Sequence, residues 1–318
     1  MALWTPAEIT TALWLDASDS STITIDTGVS QWRDKSGNAR HFAQATTTRQ
    51  PALITAGKNG LDIIRFDGSS YSLLASISIP SGNWSAFFVI KPEVTSKAGG
   101  MYLLDTQSGR MIFAALKSAG SLVGCYFGSW LGTQAGTTAY QILEYYLDAG
   151  AGAGGSSILR NGTSLESITY TSNAIGGTTA IGSVYDLGTS FFNGDICEII
   201  LIPSAADLYT RQLMQGYAAW KWGVADDLPA DHLYKSAAPT LHKVSGTVTV
   251  NGSPAARTVA VFRRSDFTLL GTTTSDASTG TFEILGMPLD ANALLVTAID
   301  STGTYNAVSV DYITSVSS

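Results

Sequence analysis

Charge is scarce in this 318-residue chain: Asp, Glu, Lys and Arg make up 14% of it, against about 25% in ordinary soluble domains. The surface must therefore be built mainly from Ser, Thr, Gly, Asn and Gln. The 18 Lys and Arg residues form no basic run, and the formal charge is -7. Binding to a nucleic-acid backbone needs clustered cations that displace condensed counterions, so that class is excluded. No apolar stretch approaches the roughly 18 residues that cross a bilayer, so no membrane insertion is expected. The start, Met1 to Glu8, has no basic segment ahead of a greasy one and is not expected to act as a classical export signal.

Cysteine and histidine are equally sparse. Cys125 and Cys197 sit in apolar, strand-like runs and read as small buried hydrophobes, since two cysteines make neither a disulfide framework nor a metal-ligand spacing. His41, His232 and His242 lack the helical H-x-x-x-H spacing of zinc hydrolases, and no Ser lies in a G-x-S-x-G elbow. The chain offers no cofactor motif.

What is abundant is turn chemistry. The 32 glycines punctuate short runs of alternating or wholly apolar residues, which reads as an all-β chain. Trp84 to Ile90 is apolar and β-prone and Pro92 stops it, as in a central strand that ends at a sheet edge. Asn161-Gly162 between Ser157 to Arg160 and Thr163 to Leu165 predicts a type I′ hairpin, whose two central residues need positive φ. Ala149 to Gly155 reads as a loop inside a domain.

Two helices are predicted. Thr5-Pro6-Ala7-Glu8 is a capping box with Pro at the first helical position, and Ser204 with Asp207 forms a second. After the latter, Tyr209, Leu213, Tyr217 and Trp220 share one face of the single long helix, with Gly223 as its stop. Asp226 to Pro239 has no periodicity and places a domain boundary, giving domains 1–239 and 240–318. The second carries six short strand candidates from Val244 to Ile313, a small β-sandwich near the lower size limit for independent folding.

The residues Leu13-Trp14-Leu15-Asp16-Ala17, Trp32 with Asp34-Lys35-Ser36-Gly37, and Phe66-Asp67-Gly68-Ser69-Ser70-Tyr71 resemble the concanavalin-type, laminin-G-like sandwiches of phage and bacterial surface proteins. Gly194 to Ile199, the helix, and Trp220 to His232 are similar to the end of the same domain. Residues 243–318 are similar to small Ig-like, carboxypeptidase-regulatory-like modules. The resemblance implies a concanavalin-like jelly roll with one C-terminal helix, followed by an Ig-like sandwich. It further implies a phage virion component of a tail, baseplate, fibre or capsid surface, assembled in the host cytoplasm. Other virion proteins, a homo-oligomeric assembly and host-surface polysaccharide are the partners so implied. A bacterial extracellular lectin and, less so, a glycan hydrolase remain the alternatives.

Related sandwiches that hydrolyse glycans carry two glutamates four or five apart on one strand. Here none of Glu8, Glu93, Glu144, Glu166, Glu198 and Glu283 has such a neighbour, and Asp195 and Glu198, three apart, are expected on opposite faces. A non-enzyme is therefore expected. Glycan binding needs an aromatic platform beside polar groups, and Tyr126, Trp130, Tyr146 and Tyr185 sit in or beside loops or at alternate positions. Trp14, Trp84 and Trp220 are read as core. Laminin-G-like domains sometimes bind calcium, for which Asp16, Asp19 and Asp26, with Asp67, could supply oxygens. Asp in a turn more often bonds its own backbone.

Overall fold

A computed structural model describes residues 3–108, 111–117, 121–265, 267–285, 287, 294–300, 303–304 and 307–317. The chain divides into two compact units. One is Thr5–Ala238; the other joins Leu3 and Trp4 to the segment beginning at Pro239.

The larger unit is a sandwich of two antiparallel sheets. One has eight strands, in the order Thr163–Ile168, Ser156–Arg160, Gln141–Leu147, Trp84–Pro92, Asn193–Ile202, Leu61–Asp67 and Ala52–Lys58, with Leu13–Asp16 pairing onto Asn193–Ile202. The other has nine: Trp130–Leu131, Gly124–Phe127, Met111–Leu116, Met101–Ser108, Asn173–Ile181, Leu73–Gly82, Phe42–Ala43, Val29–Trp32 and Ile23–Ile25. The all-β expectation holds, and the strand order is that of a jelly-roll sandwich.

Alternate side chains from both sheets meet between them. Phe88 and Tyr145 from the first sheet and Phe113 from the second form an aromatic cluster, with centroids 4.9 Å apart for Phe113 and Tyr145 and 5.3 Å for Phe88 and Phe113. Such offset and edge contacts add about 0.5–1.5 kcal/mol each beyond simple burial. The Tyr145 hydroxyl donates to Ala114 O across the sandwich at 3.0 Å, so the phenol is satisfied in the dry interior. Cys125 and Cys197 are both buried and unbridged, and burial pushes both thiols well above their ordinary range.

The Asn161-Gly162 hairpin forms as expected, with φ +50° and +81°. The first capping box yields only a 3₁₀ turn, Pro6–Glu8, capped by Thr5 Oγ1 accepting from Ala7 N–H. The second is displaced by three residues. Asp207 is itself the cap, accepting from Thr210 N–H at 2.7 Å, and α1 runs Leu208–Lys221. Gly223, at φ +63°, ends it where expected. Trp220 is not core: it is 38% exposed and its indole donates to Tyr234 O at 2.8 Å. The tail after α1 folds back along the helix so closely that a Cβ on Gly216 would lie 2.6 Å from Tyr234 Cβ.

The smaller unit has a four-stranded sheet, Leu269–Thr274, Thr258–Arg263, Leu294–Ile299 and Val308–Ile313, and a three-stranded one, Thr281–Leu285, His242–Thr247 and Val316–Ser317. A two-stranded ribbon, Thr249–Val250 with Ser253–Pro254, continues the latter. Val244, Val259, Val261, Ile284 and Val296 form its core.

Candidate functional site

The outward face of the nine-stranded sheet carries a row of directly opposed residues: Trp130, Tyr126, Ile112, Asp105 and Ala180. A register shift beside this row builds it. Ala114 opposes Tyr102 while Ile112 opposes Asp105, so two steps along one strand face three along the other. Leu103 and Leu104 consequently both enter the core, and Tyr102 and Asp105 share the outer face.

The result is an aromatic patch. The Trp130 ring lies 5.5 Å from Tyr126 and 5.6 Å from Tyr102, over a floor of Ile112 and Ala114. Trp130 and Tyr126 are half-buried, so each presents part of its ring to solvent. Glycine makes this hairpin possible. A Cβ on Gly124 would lie 2.2 Å from Leu131 O, and one on Gly132, at φ +106°, 2.1 Å from Val123 O.

The loop 182–190 borders the patch. Val184 packs on Tyr102 and Ile112, Tyr102 N–H donates to Ser190 O at 3.0 Å, and Tyr185 N–H donates to Asp105 Oδ2 at 3.2 Å. Asp105 is fully buried, so it fixes the backbone that presents Tyr185 rather than meeting solvent itself. Tyr126 and Trp130 thus lie together, and the backbone of Tyr185 is tied to Asp105 of the same sheet. Tyr146 does not belong with them: it lies in the other sheet, with the Arg211 guanidinium 4.4 Å from its ring centre and Asp148 3.5 Å from its hydroxyl. Tyr102 and Asp105 were hidden inside the apolar run Met101 to Asp105, whose alternation the register shift breaks.

The carboxylates behave differently. Glu198 is fully buried beneath α1 and accepts from the Trp14 and Trp222 indoles at 2.7 Å each, from Tyr217 Oη at 2.8 Å and from Lys221 Nζ at 3.1 Å. Glu144, also fully buried, accepts from Arg211 and Gln215 of α1. Burial pushes both carboxyls above their ordinary range, against the pull of Lys221 on one and Arg211 on the other. Gln215 in turn meets His232 Nε2 at 2.9 Å, while His232 Nδ1 accepts Tyr234 N–H at 3.1 Å. These groups tie the helix and its tail to the sheet.

Asp195 and Glu198, expected on opposite faces, share one. A bulge at Cys197 adds a residue between them, so Ile196 and Ile199 both point into the core and the two acids both point out. Asp195 is held by Arg65 at 2.6 and 3.0 Å and by Tyr140 Oη at 2.8 Å.

The aspartates proposed for calcium do not fit the ion. Asp16 is bound by Lys221 Nζ at 2.7 Å and Lys35 Nζ at 3.0 Å, and Asp19 by Lys35 at 2.8 Å and by Ser21. Burial alone would raise the Asp16 carboxyl, but the ammonium groups hold it below the ordinary range. Asp26 lies apart from them, 3.5 Å from Gln50 Nε2. Asp67 accepts the N–H groups of Ser69, Ser70 and Tyr71. Lysines sit where a cation would have to bind, and among the described residues no three acidic, His or Cys side chains gather into a metal site.

No family model and no curated protein matches the sequence. Solved structures to which the chain is similar include domain 4 of AbnA, a GH43 extracellular arabinanase from Geobacillus stearothermophilus, in complex with arabinotriose. It is 14% identical at a TM-score of 0.45, over 62% of this chain and 94% of that one. The botulinum neurotoxin serotype G binding domain is 9% identical at 0.49, over 95% and 70% of the two chains. Trypanosoma rangeli sialidase in complex with sialic acid is 11% identical at 0.44, over 65% of this chain and 32% of the other.

Proposed function

We propose that the larger unit is a non-catalytic glycan-binding module whose ligand lies on the Trp130 and Tyr126 rings, with Tyr102 buried beneath them and Tyr185 at the border. The observation that carries this reading is the half-buried Trp130 and Tyr126 pair, set edge to face on the sheet over an apolar floor. A sugar presents an apolar C–H face that stacks on such rings, and a few polar groups around them fix its orientation. The absence of catalysis is supported by the engagement of Glu144, Glu198 and Asp195, each consumed by hydrogen bonds inside the fold.

In this proposal the chain is a structural component of a phage virion, on a tail, baseplate, fibre or capsid surface. It meets host-surface polysaccharide on one side and other virion proteins, in a homo-oligomeric assembly, on the other. That part rests on the sequence resemblance, including the similarity of residues 243–318 to Ig-like modules. The test is to incubate the purified protein with isolated host-surface polysaccharides and to read retained protein and released sugar together. Retention without release is the expected result. Release of sugar would overturn the non-catalytic reading, and failure of every polysaccharide to retain the protein would overturn the glycan reading.

A further inference from the structure

The smaller unit is a sandwich whose two sheets are unequally wide. In its four-stranded sheet, Val261, Val296 and Val310 oppose one another across three strands, as do Val259, Ala298 and Val308, so all six side chains share the inner face. Their exposure rises steadily toward one edge: Val261 is 0% exposed, Val296 8% and Val310 52%, and Val308 reaches 65%. An inner sheet face that loses its cover in this way lies opposite a sheet that ends one strand too soon.

In the opposing sheet, His242–Thr247 lies between Thr281–Leu285 and the two-residue strand Val316–Ser317. Its far edge pairs with Val316 and Ser317 at Lys243 and His242 alone, and among the described residues no strand pairs with it beyond. The ladder with Thr281–Leu285, continued by Val248 N–H donating to Gly280 O, turns the peptide groups of Ser245 and Thr247 toward that open edge. A cleft of 540 Å³ separates it from Val308 and Val310. The ion pair at one end, Arg257 with Asp300 at 3.5 Å, neutralises itself and leaves the slot apolar in character.

We infer that this slot receives an extended strand from a partner polypeptide with apolar residues at alternate positions. An unpaired strand edge names the occupant's backbone conformation, because its orphan N–H and C=O groups are satisfied in a ladder by another strand. The uncovered valines name its side chains. Val308 and Val310 are two residues apart, which is the period at which an added strand drops its side chains onto one face. A segment of about five residues, roughly 17 Å long, covers the edge from Ser245 to Val250.

The full chain is titrated with a soluble peptide that alternates Val and Thr between terminal lysines. The comparisons are a peptide of the same composition with its valines consecutive, and one N-methylated at alternate amides. Amide hydrogen exchange is followed at Ser245 and Thr247. The alternating peptide is expected to bind and to slow exchange at both amides, and the other two are expected to lose that effect. Val310→Lys, at an exposed position that the fold tolerates, should weaken binding about tenfold or more, because the added strand would bury an ammonium. Equal binding of all three peptides, or unchanged exchange at Ser245 and Thr247, would overturn the inference. Protection of those amides in the chain alone, appearing with dimerisation, would assign the edge to a second copy and overturn it equally.

Discussion

The two outer faces of the large sandwich use the same kinds of side chain to opposite ends. On the eight-stranded sheet, carboxylates, indoles and phenols lie under α1 and every one of the groups named is satisfied: Glu198 takes donors from Trp14, Trp222, Tyr217 and Lys221, and Glu144 takes them from Arg211 and Gln215. On the nine-stranded sheet, no helix among the described residues of this unit lies over the corresponding rings. Asp105 is spent on a backbone N–H, and Trp130 and Tyr126 keep part of their faces toward solvent. An acid beside aromatic rings is therefore not in itself a site. What separates the two faces is whether another element of the same chain has already claimed the rings and the donors.

Breaking the sealed face should produce the largest effect. Glu198→Ala takes the acceptor from two indoles and a phenol and leaves the Lys221 ammonium to Asp16, and urea unfolding should register a loss of about 3–5 kcal/mol, the cost of removing one partner of a buried ion pair. A loss well under that would mean that the helix is held by its apolar contacts alone. Acid should weaken the same face to a lesser degree. Burial holds the His232 imidazole below its ordinary value, so the folded state resists protonation that the unfolded chain accepts. This contribution is fully present above about pH 6.5 and is lost as the pH falls below it. Between about pH 7.5 and pH 5.5 the wild type should lose unfolding free energy relative to His232→Gln, which lacks this contribution.

Two further measurements sharpen the contrast by expecting nothing. Tyr146→Ala alters a ring already covered by Arg211, so its glycan affinity should equal that of the wild type. A calcium excess, followed by chelator, should leave the thermal midpoint unchanged, because Lys35 and Lys221 occupy the oxygens of Asp16 and Asp19. A midpoint that rises with calcium would show that these ammonium groups can be displaced.

Local chemistry was readable in the chain and phase was not. The Asn161-Gly162 hairpin and the stop at Gly223 follow from turn residues, and Tyr126 and Trp130 were singled out as aromatic rings in or beside loops, while their pairing across adjacent strands was not legible. Two register irregularities defeated the rest. One shift sends both Leu103 and Leu104 inward and brings Tyr102 and Asp105 to the outer face; the other, at Cys197, puts Asp195 and Glu198 on one side. A strand read with a strict period of two assigns every residue beyond such a point to the wrong face. The lysine partners of the candidate calcium aspartates were hidden for a different reason. Lys221 reaches Asp16 from more than two hundred residues away in the sequence, and no local pattern announces that pairing.

The most direct test of the open face is calorimetric titration of the retained host polysaccharide into the wild type and into Trp130→Ala. Hydrogen exchange at the core strand Trp84–Pro92 confirms that the variant is folded. Loss of one stacking ring should weaken binding by about tenfold, equivalent to ~1.4 kcal/mol, with the core exchange unchanged. Wild-type affinity in a folded Trp130→Ala protein would contradict the account and move the ligand off this sheet.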